Sequence, residues 1–206
     1  MKNPNQTTID AYNQQVQAYI DKTPRAHQES HKPMLRWIDA ALNAIPSNGR
    51  ILEVGSATPR DANYIRSKGY EVQCSDAPEE FVIRLKQQGE DAIQLNILTD
   101  EIQGHYDMIF ANAVAPHFTV DDVNLFLDKI HTHLPKDGLL VFNVKQGDSE
   151  EWVNEKFDSK RYIHYWMPKD IKEVTVAHGF KILFIETDVV GDLPNHRWTN
   201  IVAQKI

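Results

Sequence analysis

From residue 50 onward the chain alternates short apolar runs with amphipathic stretches that end in glycine, and few architectures tolerate that order. Residues 50–55 are a short, mostly apolar run, as strands buried on both faces are, residues 71–76 are strand-like, and residues 92–96, 106–113 and 138–145 read as further strands. Between them, residues 61–68 stop at Gly69 and residues 79–88 at Gly89, and residues 121–134 read as a helix with an N-terminal Asp cap. Pro168 and Lys169 open a further helix that closes at Gly179, and residues 181–189 and 198–204 read as two closing strands. The loop between these two holds Gly191, Asp192 and Pro194 and has no room for a helix, so they must pair antiparallel.

Five β-α units with right-handed crossovers place helices on both faces of the sheet. The expected fold is therefore α/β: a Rossmann-like, doubly wound, seven-stranded and mostly parallel sheet with an antiparallel last strand. A chain of 206 residues suits one domain, with residues 1–46 as a helical lead-in and 47–206 as the core. Ile9, Tyr12, Val16, Tyr19 and Ile20 recur at helical spacing in the lead-in, and a second amphipathic stretch, Met34, Leu35, Ile38, Ala41, Leu42 and Ile45, ends at the turn Pro46-Ser47-Asn48-Gly49.

A net charge of −7 without a Lys/Arg run disfavours nucleic acid as a partner. No apolar stretch approaches the roughly 20 residues of a membrane span, and the first residues lack a signal-peptide core. Cys74 is the only cysteine, which excludes an intrachain disulfide and suits a reducing compartment. A cytoplasmic protein is expected. His27 and His31 are four apart, but the order His-x-Glu-x-His is not a zinc-protease helix, and a solvated helix face is the plainer reading. No metal site is expected.

In a doubly wound sheet, ligands bind beyond the carboxyl ends of the strands, where strand order reverses. The first strand ends there in Glu53-Val54-Gly55-Ser56-Ala57-Thr58-Pro59-Arg60-Asp61, small residues running into a helix N-terminus that can meet an anionic group. The second strand ends in Asp76, at the distance where an acidic residue takes ribose hydroxyls as a two-oxygen acceptor.

Several ordered motifs then carry a resemblance. Residues 51–62, Gly69-Tyr70-Glu71-Val72 through Asp76, Tyr106–Ala113 with His117, and the Pro-x-x-Gly turn at Pro135–Gly138 resemble those of class I S-adenosylmethionine-dependent methyltransferases, in the bacterial group whose first motif ends Gly-Arg-Asp-Ala. The resemblance covers about residues 50–206. It implies that Gly55, Ser56 and Ala57 lie against the methionyl part of the cofactor, with Arg60 and Asp61 at its charged end. It further implies that Asp76 holds the ribose, Ala77 and Pro78 border the adenine, and Asn96 and Ile97 meet the ring. Ala111 and Asn112 would floor the sulfonium, and Glu53 would orient the first motif. Pro59 stands where the family usually has Gly, so the turn must avoid positive φ there. Asn96 stands where Asp is common.

Methyl transfer from a sulfonium needs alignment and exclusion of water, and a base only when the acceptor is protonated. Candidates for a base are His117, Tyr162, His164 and Tyr165, although a wall or rim residue is the plainer reading of each. Tyr12, Tyr19, His117, Lys145, Tyr162, Tyr165 and Trp166 are the candidate acceptor contacts. The acceptor is expected to be a small molecule, and a protein acceptor stays open. The Asn/Asp-Pro-Pro-aromatic motif for nucleobase amines is absent after Asn112, and Cys74 reads as an interior strand residue and not as a cytosine nucleophile. A nicotinamide-dependent oxidoreductase would want Gly-x-Gly-x-x-Gly, of which only Gly55 is present. A non-catalytic protein that binds S-adenosylmethionine or S-adenosylhomocysteine is the remaining alternative.

Overall fold

The computed structural model describes residues 3–23, 27, 32–154, 159–189 and 197–206. The expected loop residues Gly191, Asp192 and Pro194, and His31, lie outside the described residues.

Strands β1 (Arg50–Val54), β2 (Glu71–Asp76) and β3 (Ala92–Gln94) lie in the order β3-β2-β1, and β4 (Met108–Ala111) and β5 (Leu139–Gln146) continue on the far side of β1. All of these neighbours pair parallel, so the order reverses between β1 and β4. Beyond β5, β9 (Arg197–Lys205) pairs antiparallel with β5, and β8 (Phe180–Val189) pairs antiparallel with β9. These seven strands form the expected doubly wound sheet.

Strand alternation divides the core into two layers. Leu52, Ile109, Leu140 and Phe142 face one side with Phe126 and Ile130 of α6 (Val120–His133) and Ile171 of α7 (Pro168–Ala177). Ile51, Met108, Phe110 and Val141 face the other, against Ile38 of α3 (Lys32–Leu42), Ile65 of α4 (Arg60–Ser67) and Leu85 of α5 (Glu79–Gln87). The Trp37 and Phe110 rings meet at 5.2 Å in that second layer.

The structure corrects the sequence reading in three places. There are not five β-α units, because β3 is followed by a turn: the Asn96 carbonyl side chain accepts the Leu98 N–H and Asp100 accepts the Asn96 N–H. Local side-chain bonds of this kind compete with helix formation. The cap of α6 is Thr119 and not an Asp, in a reciprocal pair in which Thr119 Oγ1 accepts the Asp122 N–H and Asp122 accepts the Thr119 N–H. Finally, residues 146–166 contain a hairpin of β6 (Glu150–Val153) and β7 (Arg161–Trp166), and β7 joins the end of β5 through Lys145 and Gln146.

The lead-in forms α1 (Pro4–Gln14) and α2 (Val16–Lys22). α1 lies over β7, the N-terminal end of α5 and the short 3-10 turn Ala115–His117 that follows β4. It is fastened by polar contacts: Asn5 to Asn96, Thr8 to the Tyr162 N–H, Tyr12 to His117, and Asn13 to the Glu80 N–H. No helix among the described residues is long and apolar enough to cross a membrane.

Candidate active site

A cavity of about 410 Å³ opens between α1, α2 and the carboxyl ends of β1, β2, β4 and β5. That volume is within the range of small-molecule sites, roughly 300–1,000 Å³. Its lining contains Gly55, Ser56, Ala57, Arg60 and Asp61 after β1, Asp76, Ala77 and Pro78 after β2, and Asn96, Ile97 and Asn112.

The turn after β1 shows how the chain manages without a glycine at residue 59. Gly55 and Ala57 take the positive φ values, +73° and +49°, while Pro59 sits at −76° as the residue before α4. A Cβ on Gly55 would overlap the Val114 side chain, so both space and backbone demand glycine there. The unusual conformation of Ala57 aims its N–H at Asp76 Oδ2, 2.7 Å away. Asp76 is buried, and burial pushes its carboxyl up to about 7 against the pull of the Ala57 and Ala77 N–H groups. One oxygen is thus fixed by the turn in a carboxylate that lines the cavity, the chemistry a vicinal diol requires.

Asp61 is buried and accepts from His27 Nε2 at 2.7 Å, Arg60 Nε at 2.9 Å and Asn112 Nδ2 at 2.8 Å. Burial alone would raise its carboxyl, but those hydrogen bonds outweigh it and hold the group well below the usual carboxylate range. His27 is therefore not on a solvated helix face: it closes the site on Asp61. Glu53 lies behind the turn, where burial and the Asp61 charge push its carboxyl up to about 8. Its backbone carbonyl accepts the Ser75 hydroxyl at 2.8 Å, which ties β1 to β2.

Asn112, half-buried, also begins a ladder of amides that runs inward through the buried Asn143 and Asn200. Its oxygen accepts from Asn143 Nδ2 at 2.8 Å, the same Nδ2 donates to Asn200 Oδ1 at 3.3 Å, and Asn200 Nδ2 donates to Asp188 at 3.0 Å. Asn143 Oδ1 holds the Ala113 N–H at 2.7 Å, at a residue with φ of +60°. Every amide orientation in the ladder is set by its neighbours.

Across the cavity, Tyr12, Tyr19, His117 and Lys145 are in the lining. His117 Nδ1 lies 2.8 Å from the Tyr162 backbone carbonyl, which can only accept, so Nδ1 carries the proton of the neutral ring. Nε2 then accepts the Tyr12 hydroxyl at 2.9 Å, while the Tyr12 oxygen accepts from Arg161 Nη1 at 3.1 Å. The Tyr19 ring meets Tyr12 and Phe81 edge-on at 5.7 and 5.3 Å, and Tyr12 and Phe81 are tilted at 6.3 Å, enclosing this side.

Not every expected residue is in the lining. Ala111 is fully buried within β4, and Glu53 lies behind the turn. The Tyr162 hydroxyl donates to Glu150, the Tyr165 hydroxyl donates to Glu151, and His164 and Trp166 pack on each other at 4.9 Å. These four hairpin side chains are outside the cavity, and only the backbone carbonyl of Tyr162 serves it. Arg161, Asn143 and Asn200 line the cavity and were missed. Asn143 carried a signal, being a polar residue in the middle of an apolar buried strand, a position that is costly unless bonded.

Residues 25–184 match the family model of a methyltransferase domain. No curated relative matches at a significant level. Among solved structures, the chain is similar to a 1,6-didemethyltoxoflavin N1-methyltransferase of Burkholderia thailandensis with bound 1,6-didemethyltoxoflavin and S-adenosylhomocysteine. That match has a TM-score of 0.71 and 17% identity, over all of this chain and 91% of that one. It is also similar to magnesium protoporphyrin IX methyltransferase of Synechocystis PCC 6803 with bound S-adenosylmethionine, at a TM-score of 0.72 and 12% identity over 100% and 99% of the two chains. Both likenesses are of fold. With the family model spanning most of the sequence, the chain belongs to the methyltransferase domain family, the S-adenosylmethionine-dependent class I methyltransferases.

Proposed function

We propose that the protein transfers a methyl group from S-adenosylmethionine to a small-molecule acceptor in the cytoplasm. The observation that carries this is the cavity itself: one end is closed by the turn after β1 and by Asp76, and the other by Tyr12 and His117. In this reading Asp76 takes the ribose hydroxyls, Gly55 to Ala57 lie along the methionyl chain, and Arg60 and Asp61 meet its carboxylate and amino group. Asn96 binds less directly than expected, since its oxygen accepts the Leu98 N–H and its nitrogen donates to Asn5.

S-adenosylmethionine, when bound, supplies a methyl group on a good leaving group, which leaves alignment and water exclusion to the protein. α1 and α2 of the lead-in serve as lid and acceptor wall, and their Tyr12 and Tyr19 rings shield the sulfonium. His117 is the base. A proton from the acceptor passes to the Tyr12 oxygen as the Tyr12 proton moves to His117 Nε2, and the Tyr162 carbonyl steadies the imidazolium at Nδ1. An acceptor site roofed by α1 suits a small molecule better than a protein surface. Thermal unfolding with S-adenosylhomocysteine and with NAD tests the cofactor: the first should raise Tm, adding roughly 2.7 kcal/mol at about 100 times its Kd. A larger rise with NAD would end this reading.

A further inference from the structure

The amide ladder that starts at Asn112 has a carboxylate at each end. Asn200 Nδ2 donates to Asp188 Oδ2 at 3.0 Å, and the other oxygen of Asp188 accepts from Arg36 of α3 at 3.2 Å. At the opposite end Asn112 Nδ2 donates to Asp61 Oδ2 at 2.8 Å. A carboxylate only accepts, so each end of the ladder demands a nitrogen. Asn112 and Asn200 must therefore both turn their oxygens inward, toward the residue between them.

That residue is Asn143, which faces Asn200 directly in the antiparallel register of β5 and β9. Its Nδ2 donates to the Asn112 oxygen at 2.8 Å and to the Asn200 oxygen at 3.3 Å, and its Oδ1 accepts the Ala113 N–H at 2.7 Å. Two donors and one acceptor are needed at one buried point, and a primary amide supplies them. Asn143 is 5% exposed in the otherwise apolar residues 139–144 of β5, where a packed hydrocarbon would serve the sheet at least as well. What the amide supplies instead is direction. Asn112 is held with its nitrogen on Asp61, and the chain is held at Ala113, whose φ is +60°. Turned over, Asn112 would set its oxygen against the Asp61 carboxylate.

We propose that Asn143 is a positioning residue for methyl transfer: acting through Asn112, it fixes the Asp61 carboxylate at the charged end of the cofactor. This deepens the methyltransferase reading and rests on it, in particular on Asp61 meeting the cofactor's amino group. Asp61 is also held by His27 and Arg60, at 2.7 and 2.9 Å. Those two approach from the lead-in and from α4 itself, and Asn112 ties the carboxylate to the end of β4.

The test compares S-adenosylhomocysteine affinity, by isothermal titration, in the full chain and in Asn112→Ala, Asn143→Ala and the double variant, each with its Tm. Asn143→Ala and Asn112→Ala should each bind about tenfold more weakly than the unsubstituted chain. The double variant should bind within twofold of Asn112→Ala, because the effect of Asn143 passes through the amide already removed. A purely structural role would lower Tm without that coupling. Asn143→Ser, which keeps one donor, takes the place of Asn143→Ala in the same cycle if the latter does not fold. Affinity within twofold of the unsubstituted chain in either single variant, or losses that multiply in the double variant, would overturn the proposal. Failure of S-adenosylhomocysteine to bind the unsubstituted chain would instead defeat the cofactor reading on which it rests.

Discussion

Asp76 and Ala57 are 19 residues apart in sequence, and the carboxylate of one accepts the backbone N–H of the other at 2.7 Å. The contact joins the ends of β1 and β2, so the shape of the turn and the position of the carboxylate are a single structural unit.

Because burial pushes the Asp76 carboxyl up to about 7, S-adenosylhomocysteine should bind more tightly as pH rises from about 6 to about 8, when the group becomes the acceptor a diol needs. Isothermal titration across that range checks it, and Asp76→Asn should flatten the dependence. Asp76→Ala should weaken binding by roughly 1.5–3 kcal/mol with the fold intact. A flat profile in the unsubstituted chain would remove Asp76 from the ribose site.

Stability of the ligand-free chain should run the other way. The unfolded Asp76 ionises near 3.8 and the folded one near 7, so between these values the folded state binds more protons and stability falls as pH rises. Glu53, raised to about 8, extends the decline upward. Asp61, held low, opposes it only in acid: its contribution is present above the ordinary carboxylate range and is lost as pH falls. Urea titrations at several pH values should show a smaller decline in Asp76→Asn.

Gly55→Ala should lower stability, since a positive φ costs an L-residue about 1–2 kcal/mol and the new methyl meets Val114. Adding Val114→Ala should recover the overlap and not the backbone cost. Full recovery in the double variant, measured by chemical denaturation, would show that φ is not limiting.

Tyr12→Phe keeps the ring contacts with Tyr19 and Phe81 and removes the hydroxyl between His117 and Arg161. It should lower kcat by roughly 10²–10⁴-fold, the span of general acid–base effects, with little change in S-adenosylhomocysteine affinity. Parallel losses in both would make Tyr12 a lid residue and not part of the proton path.

Thr119→Ala should destabilise by about 0.5–2 kcal/mol and Thr119→Ser by much less, because Ser can still accept the Asp122 N–H. Thermal melts of the two variants decide it.

The sheet was legible because β1, β4 and β5 are apolar runs and α4, α5 and α7 close at Gly69, Gly89 and Gly179, a local signal. The hairpin of β6 and β7 was not, since its strands mix Glu150 and Glu151 with Trp152 and His164 among apolar residues and show no clean period. Within the site, Gly55, Asp61 and Asp76 could be read from spacing along one chain segment. Arg161 and His27 could not, because what places them is contact with Tyr12 and Asp61, across 149 and 34 residues. Aromatic density pointed to Tyr162, Tyr165 and Trp166, but strand alternation turns Tyr162 and Trp166 to the face opposite Arg161 and Ile163, which line the cavity, and Tyr165, further along the strand, gives its hydroxyl to Glu151.

The roof over the cavity is fastened mainly by hydrogen bonds at Asn5, Thr8, Tyr12 and Asn13, and Thr8, Ala11 and Val16 are its buried positions in α1 and α2. Water can replace hydrogen bonds far more cheaply than it can replace apolar packing, at roughly 1 kcal/mol net each. Parting the roof from the sheet therefore breaks far fewer apolar contacts than unfolding the sheet beneath, and local opening is expected to expose the cavity well before the core gives way.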